Sequence, residues 1–296
     1  MKYETAQSSL LGNRRNNQDR CLILESPDSV VLALADGMGG HPKGEMAAQI
    51  LMDTSRKTFL TSRKPIANPR VFLSGLMDMT HQQILVYGEE QQPPIEPRTT
   101  GVLCLIQDNQ AYWAHIGDSR LYIMHEGVIA LRTDDHSYVE HLRQQGVISA
   151  AQTHTHRFKN YVTRCLGGSN NRPVPELSGP YQLEEGDTIL LCSDGFWSAL
   201  PERSLVDSLY KTVQPLTTCI TRLSRQAEQN SKPESDNVTA IALRWQKKAI
   251  NLEPADISMT LADNASPHRK PKDRETEVQE AISELRDLVD QFDKQE

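Results

Sequence analysis

The sequence predicts an α+β fold built around antiparallel sheet, and three observations carry that reading. From Thr99 onward, TTGVLCLIQ, QAYWAHIG, SRLYIMHEG and VIALR follow one another as short apolar segments joined by tight turns. That pattern is an antiparallel meander and not a βαβ series. Two long stretches with helical apolar spacing, GEMAAQILMDTSRKTFL (44–60) and VFLSGLMDMTHQQILVYGEE (71–90), precede the meander instead of alternating with it. Finally, SVVLALA (29–35) and DTILLC are continuous apolar runs, each soon followed by an aspartate, and read as buried strands.

Each element has its local reason. Residues 29–35 alternate too little for a half-exposed strand. The two helical stretches are separated by the turn signal IANP, and Asp108 and Asn109 supply the turn between the first two meander strands. SYVEHLRQQG reads as a further helix, and 151–180 as a polar loop rich in His, Asn, Gly and Pro. Two more helical segments lie between DTILLCSDG and NVTAIALRW, the last convincing strand. No internal repeat is present.

Composition narrows the class. With 38% hydrophobic and 24% charged residues the chain is an ordinary globular protein. A net charge of −7 without a basic block argues against nucleic acid as a partner. The five cysteines (Cys21, Cys104, Cys165, Cys192, Cys219) form no CxxC pair, so neither a disulfide framework nor a zinc site is expected, and a reducing compartment is the simplest inference. MKYETAQSSLLGN lacks the apolar core of a signal peptide, and no run approaches the ~18 residues of a membrane span. A cytoplasmic protein is therefore expected.

Function is concentrated in the acids at strand ends. Asp36 in ALADGMGGHPK ends a buried strand and is followed by Gly37, Gly39 and Gly40. Asp19 in RRNNQDR, Asp118 in HIGDSRLY, Asp194 in LLCSDGFW and Asp236 in ESDNVTAI occupy similar settings. Carboxylates gathered at one end of a sandwich would repel one another and raise their pKa values. Hard divalent cations relieve that repulsion, and an all-oxygen set favours Mg²⁺ or Mn²⁺ over Zn²⁺. Glycine after Asp36 and after Asp194 permits close backbone approach, so that a carbonyl can join such a site. Taken singly each acid is equally a turn residue, so the residues alone leave both readings open. A dinucleotide fold fits poorly. The glycine spacing is not GxGxxG, the turn begins with an acid that would repel a pyrophosphate, and the meander is wrong for a doubly wound sheet. The same meander excludes the parallel sheet of a phospho-accepting receiver domain.

In order, RRNNQD, DGMGG, TTG, GDSR, SDG and SDN resemble the metal-dependent protein phosphatases, the type 2C serine/threonine family, and most closely its bacterial branch. The match runs from about residue 5 to 246, and HTHRFKNYVTRCLG is similar to the family's segment between the flap and the late strands. The resemblance implies a four-layer α-β-β-α sandwich of two central antiparallel sheets flanked by helices. It implies two or three Mn²⁺ or Mg²⁺ ions held by Asp36, the Gly37 carbonyl, Asp118, Asp194 and Asp236, with Asp36 bridging two of them. Asp118 would share a third, weaker site with Asp194, and Asp19 would hold metal-bound water. Arg14 falls where the family grips the substrate phosphate, with Arg15 as a solvated neighbour. A metal-activated water would then hydrolyse phosphoserine and phosphothreonine in protein substrates without a phospho-enzyme, opposing a bacterial serine/threonine kinase. The alternative is a scaffold module of the same fold. Two positions depart from the wider family: Gln18 replaces a common glutamate, and Met38 stands where eukaryotic members have a histidine proposed as general acid. Leaving-group protonation would then come from metal-bound water or another side chain; His41 is nearby but reads as a solvated loop histidine, as do His154 and His156 in the polar loop. Cys192 reads as core, because SDGFW is no phosphate-cradling loop.

The domain is expected to span 1–246, followed by a polar linker at 247–274. In the last stretch, 275–296, Val278, Ile282, Leu285, Val289 and Phe292 recur in steps of four and three. That is an a/d seam of only about two heptads, so a helical partner or self-association is expected there.

Overall fold

In the computed structural model, which describes residues 2–168 and 172–246, side-chain parity along the strands divides the interior into three apolar cores. The chain enters through β1 (Tyr3–Leu10), β2 (Asp19–Glu25) and the apolar β3 (Ser29–Asp36), then two long helices, α1 (Gly44–Thr61) and α2 (Pro69–Glu89). The short β4 (Arg98–Thr99) leads into β5 (Gly101–Gln107), β6 (Gln110–Ile116), β7 (Arg120–His125) and β8 (Val128–Arg132). Next come α3 (Tyr138–Gln144), α4 (Ala150–Thr153), β9 (Leu166–Gly167) and β10 (Glu176–Gln182). The remainder is β11 (Thr188–Cys192), α5 (Asp194–Trp197), α6 (Glu202–Leu209), α7 (Leu216–Asn230) and β12 (Val238–Trp245).

Two five-stranded antiparallel sheets result, ordered β1-β12-β11-β7-β8 and β10-β6-β5-β3-β2. Even-numbered Val30, Leu32 and Leu34 of β3 meet Leu121, Ile123, Ile189, Leu191, Ile241 and Leu243 of the opposite sheet. Odd-numbered Val31, Ala33 and Ala35 turn outward onto Ala47, Leu51, Phe59, Leu76 and Met77 of α1 and α2. The other sheet does the same, with Tyr122, Leu190, Cys192 and Ala240 against Leu205, Ile220 and Leu223 of α6 and α7. Strands buried on both faces must be apolar throughout, which is why β3 and β11 show no alternation. The architecture is the expected α-β-β-α sandwich.

Local chemistry sets the boundaries. Asn68 caps α2 by accepting from the Val71 N–H at 3.2 Å, and Pro69 occupies the first turn. Asp108 and Asn109 both have positive φ, 51° and 60°, the conformation a two-residue hairpin requires. Cys192 is fully buried in the helix-facing core and burial pushes its thiol pKa up, so it is inert packing, as read from the sequence.

Two expectations need correction. The meander is not one sheet: β5 and β6 belong to one and β7 and β8 to the other, and the chain crosses at Gly117-Asp118-Ser119. Gly117, with φ 102°, makes that crossing possible. The polar stretch 151–180 also contains a strand, β10, whose register shifts between Ser178 and Tyr181 around Gly179 and Pro180. Pro is tolerated there because β10 is an edge strand. Among the described residues no helix is long and apolar enough to cross a membrane. The linker and heptad segment expected at 247–274 and 275–296 lie outside the described residues.

Candidate active site

The two sheets open at one end, and the five aspartates meet there. Asp36 ends β3 on the same face as Leu34, so its carboxylate lies at the mouth between the sheets. Asp19 starts β2 and is its cross-strand partner. Asp118 sits on the crossing between sheets, Asp194 begins α5 directly after β11, and Asp236 precedes β12. Asn237 ties the entry loop to this end. Its Oδ1 accepts from the Gln18 N–H at 2.8 Å, and its Nδ2 donates to the carbonyls of Leu11 (2.8 Å) and Asn16 (3.2 Å). The Asp36 N–H donates to Thr100 Oγ1 at 3.0 Å, which in turn hydrogen-bonds Ser119 Oγ at 2.7 Å.

The electrostatics are those of an uncompensated acid cluster. Burial, then the charges of Asp19, Asp194, Asp118 and Asp236, hold the Asp36 pKa well above the ordinary carboxylate range. Burial and then Asp194 do the same to Asp118. Burial and Asp236 push Asp194 up to about 6. Burial drives Asp19 to about 7, although Thr239 and Ser193 oppose the shift by hydrogen bonding. Asp19 Oδ2 accepts from Ser193 Oγ at 2.8 Å, while its buried Oδ1 has no hydrogen-bond partner among the described residues. Among the described residues, Arg14 touches the cluster, donating to Asp236 Oδ2 at 2.8 Å with its side chain 54% exposed. An all-oxygen donor set, raised pKa values and a stranded buried oxygen fit a hard divalent cation.

The glycines separate into two kinds. A Cβ on Gly37 would lie 2.4 Å from the Gly44 backbone at the start of α1, and one on Gly195 would lie 2.1 Å from the Asn237 carbonyl. Gly39 and Gly40 meet no such obstacle. Gly195→Ala therefore forces α5 away from Asn237 and should destabilise the fold by about 1–3 kcal/mol. Thermal unfolding measures this; Gly39→Ala is the comparison expected to stay near wild type.

Other sequence-predicted residues fall as follows. Arg15 is exposed without a side-chain partner among the described residues. The Gln18 carbonyl accepts from the Gly37 N–H at 3.1 Å, so this residue braces the turn through its backbone. His41 is part-buried, and burial and then Arg98 lower its pKa. His156 packs in a ring cluster with Tyr138 and Phe158, away from the aspartates. His154 lines a cavity of about 200 Å³ with Asp118, Arg120 and Asp194. Lys159 and Asn160 were not singled out by the sequence. They line a cavity of about 760 Å³ together with Arg14, Asp194 and Asp236. Ser193, Asn237 and Trp197 were also missed as individual residues. Their only signal was adjacency to Asp194 and Asp236.

Comparison with known proteins identifies the family and agrees with the fold. The family profile described as protein phosphatase 2C matches residues 6–229. The serine/threonine phosphatase stp of Listeria monocytogenes is 30% identical over 233 residues, covering 77% of this chain and 90% of that protein. Among solved structures, the Streptococcus agalactiae serine/threonine phosphatase superposes with a TM-score of 0.73 at 27% identity, covering 82% of this chain and 99% of that one. The catalytic domain of the phosphatase PstP in complex with 2 manganese ions gives a TM-score of 0.70 at 27% identity, covering 83% and 99%.

Proposed function

The chain belongs to the protein phosphatase 2C family, and from that premise we propose how its own residues carry out the reaction. It is a metal-dependent serine/threonine protein phosphatase of the bacterial type. In the reading proposed here, Asp36, the Gly37 carbonyl, Asp194 and Asp236 would hold two Mn²⁺ or Mg²⁺ ions, and Asp118 with Asp194 would hold a third. Such ions, when bound, bring the pKa of water down from ~15.7 towards neutrality and offset charge on the phosphoryl group.

The remaining roles belong to side chains. Asp19 keeps one carboxylate oxygen free of protein partners while Ser193 holds the other, so it can accept a proton from a water and keep that water oriented. Arg14 is exposed and can exchange Asp236 for a phosphate, whose oxygens its guanidinium fork matches two at a time. Met38 offers no proton to the departing serine or threonine oxygen. The convergence of five carboxylates on one cleft, with the pKa values of Asp19, Asp36, Asp118 and Asp194 raised, carries this reading. A scaffold without catalysis would not need to retain a stranded buried carboxylate oxygen. Substrates are phosphoproteins, and a bacterial serine/threonine kinase is the enzyme this one would oppose in the cytoplasm.

The direct test is phosphate release from phosphothreonine and phosphoserine peptides with Mn²⁺ and with chelator. Metal-dependent release from both is expected; release from neither in the presence of Mn²⁺ would overturn the reading. Arg14→Lys keeps the charge but loses the fork, and should raise KM about 10-fold or more with a smaller change in kcat. Steady-state kinetics on the same peptides separates the two constants.

A further inference from the structure

At the root of the 151–180 segment, His115, His136 and Glu176 bring their ligand-type atoms within 4.8 Å of one another. This group is not arranged for a metal. The Gly117 N–H donates to His136 Nδ1 at 3.2 Å, which places the ring proton on Nε2, facing Glu176 Oε2 at 3.5 Å. The His115 and His136 rings are stacked, 4.6 Å apart and 15° from parallel, so their lone pairs do not converge. Burial, then His115 and Arg164, hold the His136 pKa down to about 3, and the ring stays neutral. What His136 does is receive one particular N–H, that of the residue before Asp118.

The hold is double. The His136 N–H donates back to the Gly117 carbonyl at 2.9 Å. Its own carbonyl accepts from the Thr163 N–H at 2.8 Å and from Thr163 Oγ1 at 2.9 Å, where the segment returns to the sheet. On the opposite side, Trp197 Nε1 donates to the Asp118 carbonyl at 2.9 Å. Trp197 lies on α5, the helix that begins with Asp194. Arg120 stacks on the Trp197 ring at 3.3 Å and forks onto Asp135 at 2.7 and 2.8 Å, and Asp135 adjoins His136. Arg120 and Asp135 are nearly buried, with side chains 11% and 9% exposed. The ring of contacts closes around the Gly117-Asp118 peptide.

We propose that His136 and Trp197 are the positioning residues of Asp118, clamping its backbone from both sides so that its carboxylate is held for the cation site it shares with Asp194. This rests on the reading of Asp118 as a ligand. Neither side chain is among the metal ligands proposed above, and their effect runs through the Asp118 backbone. A chain free to swing at its positive-φ Gly117 would lose that placement.

The test is calorimetric Mn²⁺ titration of the full chain as wild type, Asp118→Ala, Trp197→Phe, His136→Leu and His136→Asn. Asp118→Ala should lose one weak site and keep the tighter binding. Trp197→Phe keeps the ring under Arg120 but loses the N–H, and His136→Leu loses the acceptor. Both should weaken that same weak site about 10-fold or more, leaving the tight sites unchanged. His136→Asn restores an acceptor near the position of Nδ1 and should recover most of the affinity. If Asp118→Ala loses the site but Trp197→Phe and His136→Leu bind as wild type, or weaken every site alike, the clamp is wrong. If Asp118→Ala itself binds as wild type, the ligand reading fails and the clamp with it. Should Trp197→Phe not fold, the His136→Leu and His136→Asn pair decides alone.

Discussion

Asp36→Asn is expected to lower phosphate release by about a thousandfold or more while making the metal-free fold firmer. The two effects share one cause. Asp36 stands at the mouth of the sandwich with Asp19, Asp118, Asp194 and Asp236 acting on it, and its pKa is raised by burial and by all four. Without cations, keeping that carboxylate charged among the others, or loading it with a proton above its ordinary pKa, works against the fold. An amide of the same shape removes that charge, but it is a far poorer ligand for a hard cation than a carboxylate. Thermal unfolding in chelator should therefore give a higher Tm for Asp36→Asn than for wild type, and added Mn²⁺ should raise the Tm of wild type more. A variant equal to wild type in activity, or less stable in chelator, would contradict this account of the cluster.

Removing the metal has the second large effect, and it depends on pH. Chelation should abolish activity. It should also expose a pH-dependent loss of stability whose sign follows from linkage. Asp194 and Asp19 have folded pKa values pushed up to about 6 and about 7, above the roughly 3.9 of an unfolded aspartate. The folded state thus binds protons more tightly than the unfolded state, and the cluster's contribution is most favourable below about pH 4. The share of Asp194 and Asp19 declines as pH rises from there to about 7. A divalent cation takes the place of the protons and should cancel the decline. The measurement is Tm against pH in chelator for wild type and Asp194→Asn, repeated with Mn²⁺. The difference between the two proteins should grow from pH 4 to pH 7 only in chelator. A flat difference across that range would show that these carboxylates do not hold the protons assigned to them.

Much of this was legible in the residues because the physics is local. A doubly covered strand must be apolar throughout, so SVVLALA and TILLC announced β3 and β11. An aspartate directly after such a run has to lie at the end of the sandwich, which is why the acids could be gathered before any geometry was known. The resemblance then supplied the four layers and the assignment of roles to Arg14 and Gly37. What the sequence concealed was long-range. Nothing in QAYWAHIGDSRLY says that β6 and β7 lie in different sheets. That depends on partners such as β11, which pairs with β7 from far later in the chain at the Arg120–Cys192 register, or on β3, which pairs with β5. The edge strand β10 was hidden by its Gly-Pro interruption and by half-exposed positions that carry no clear period. The hydrogen bonds of Asn237, Ser193 and Trp197 reach residues far away in sequence, and no spacing rule announces them.

The most direct test of the central claim is the number of Mn²⁺ ions the protein binds and which aspartates hold them. Calorimetric titration should show at least two ions per chain for wild type, with tight binding lost in Asp36→Asn and weakened in both Asp194→Asn and Asp236→Asn. Retention of wild-type stoichiometry and affinity in all three variants would contradict the assignment of these aspartates as the metal centre.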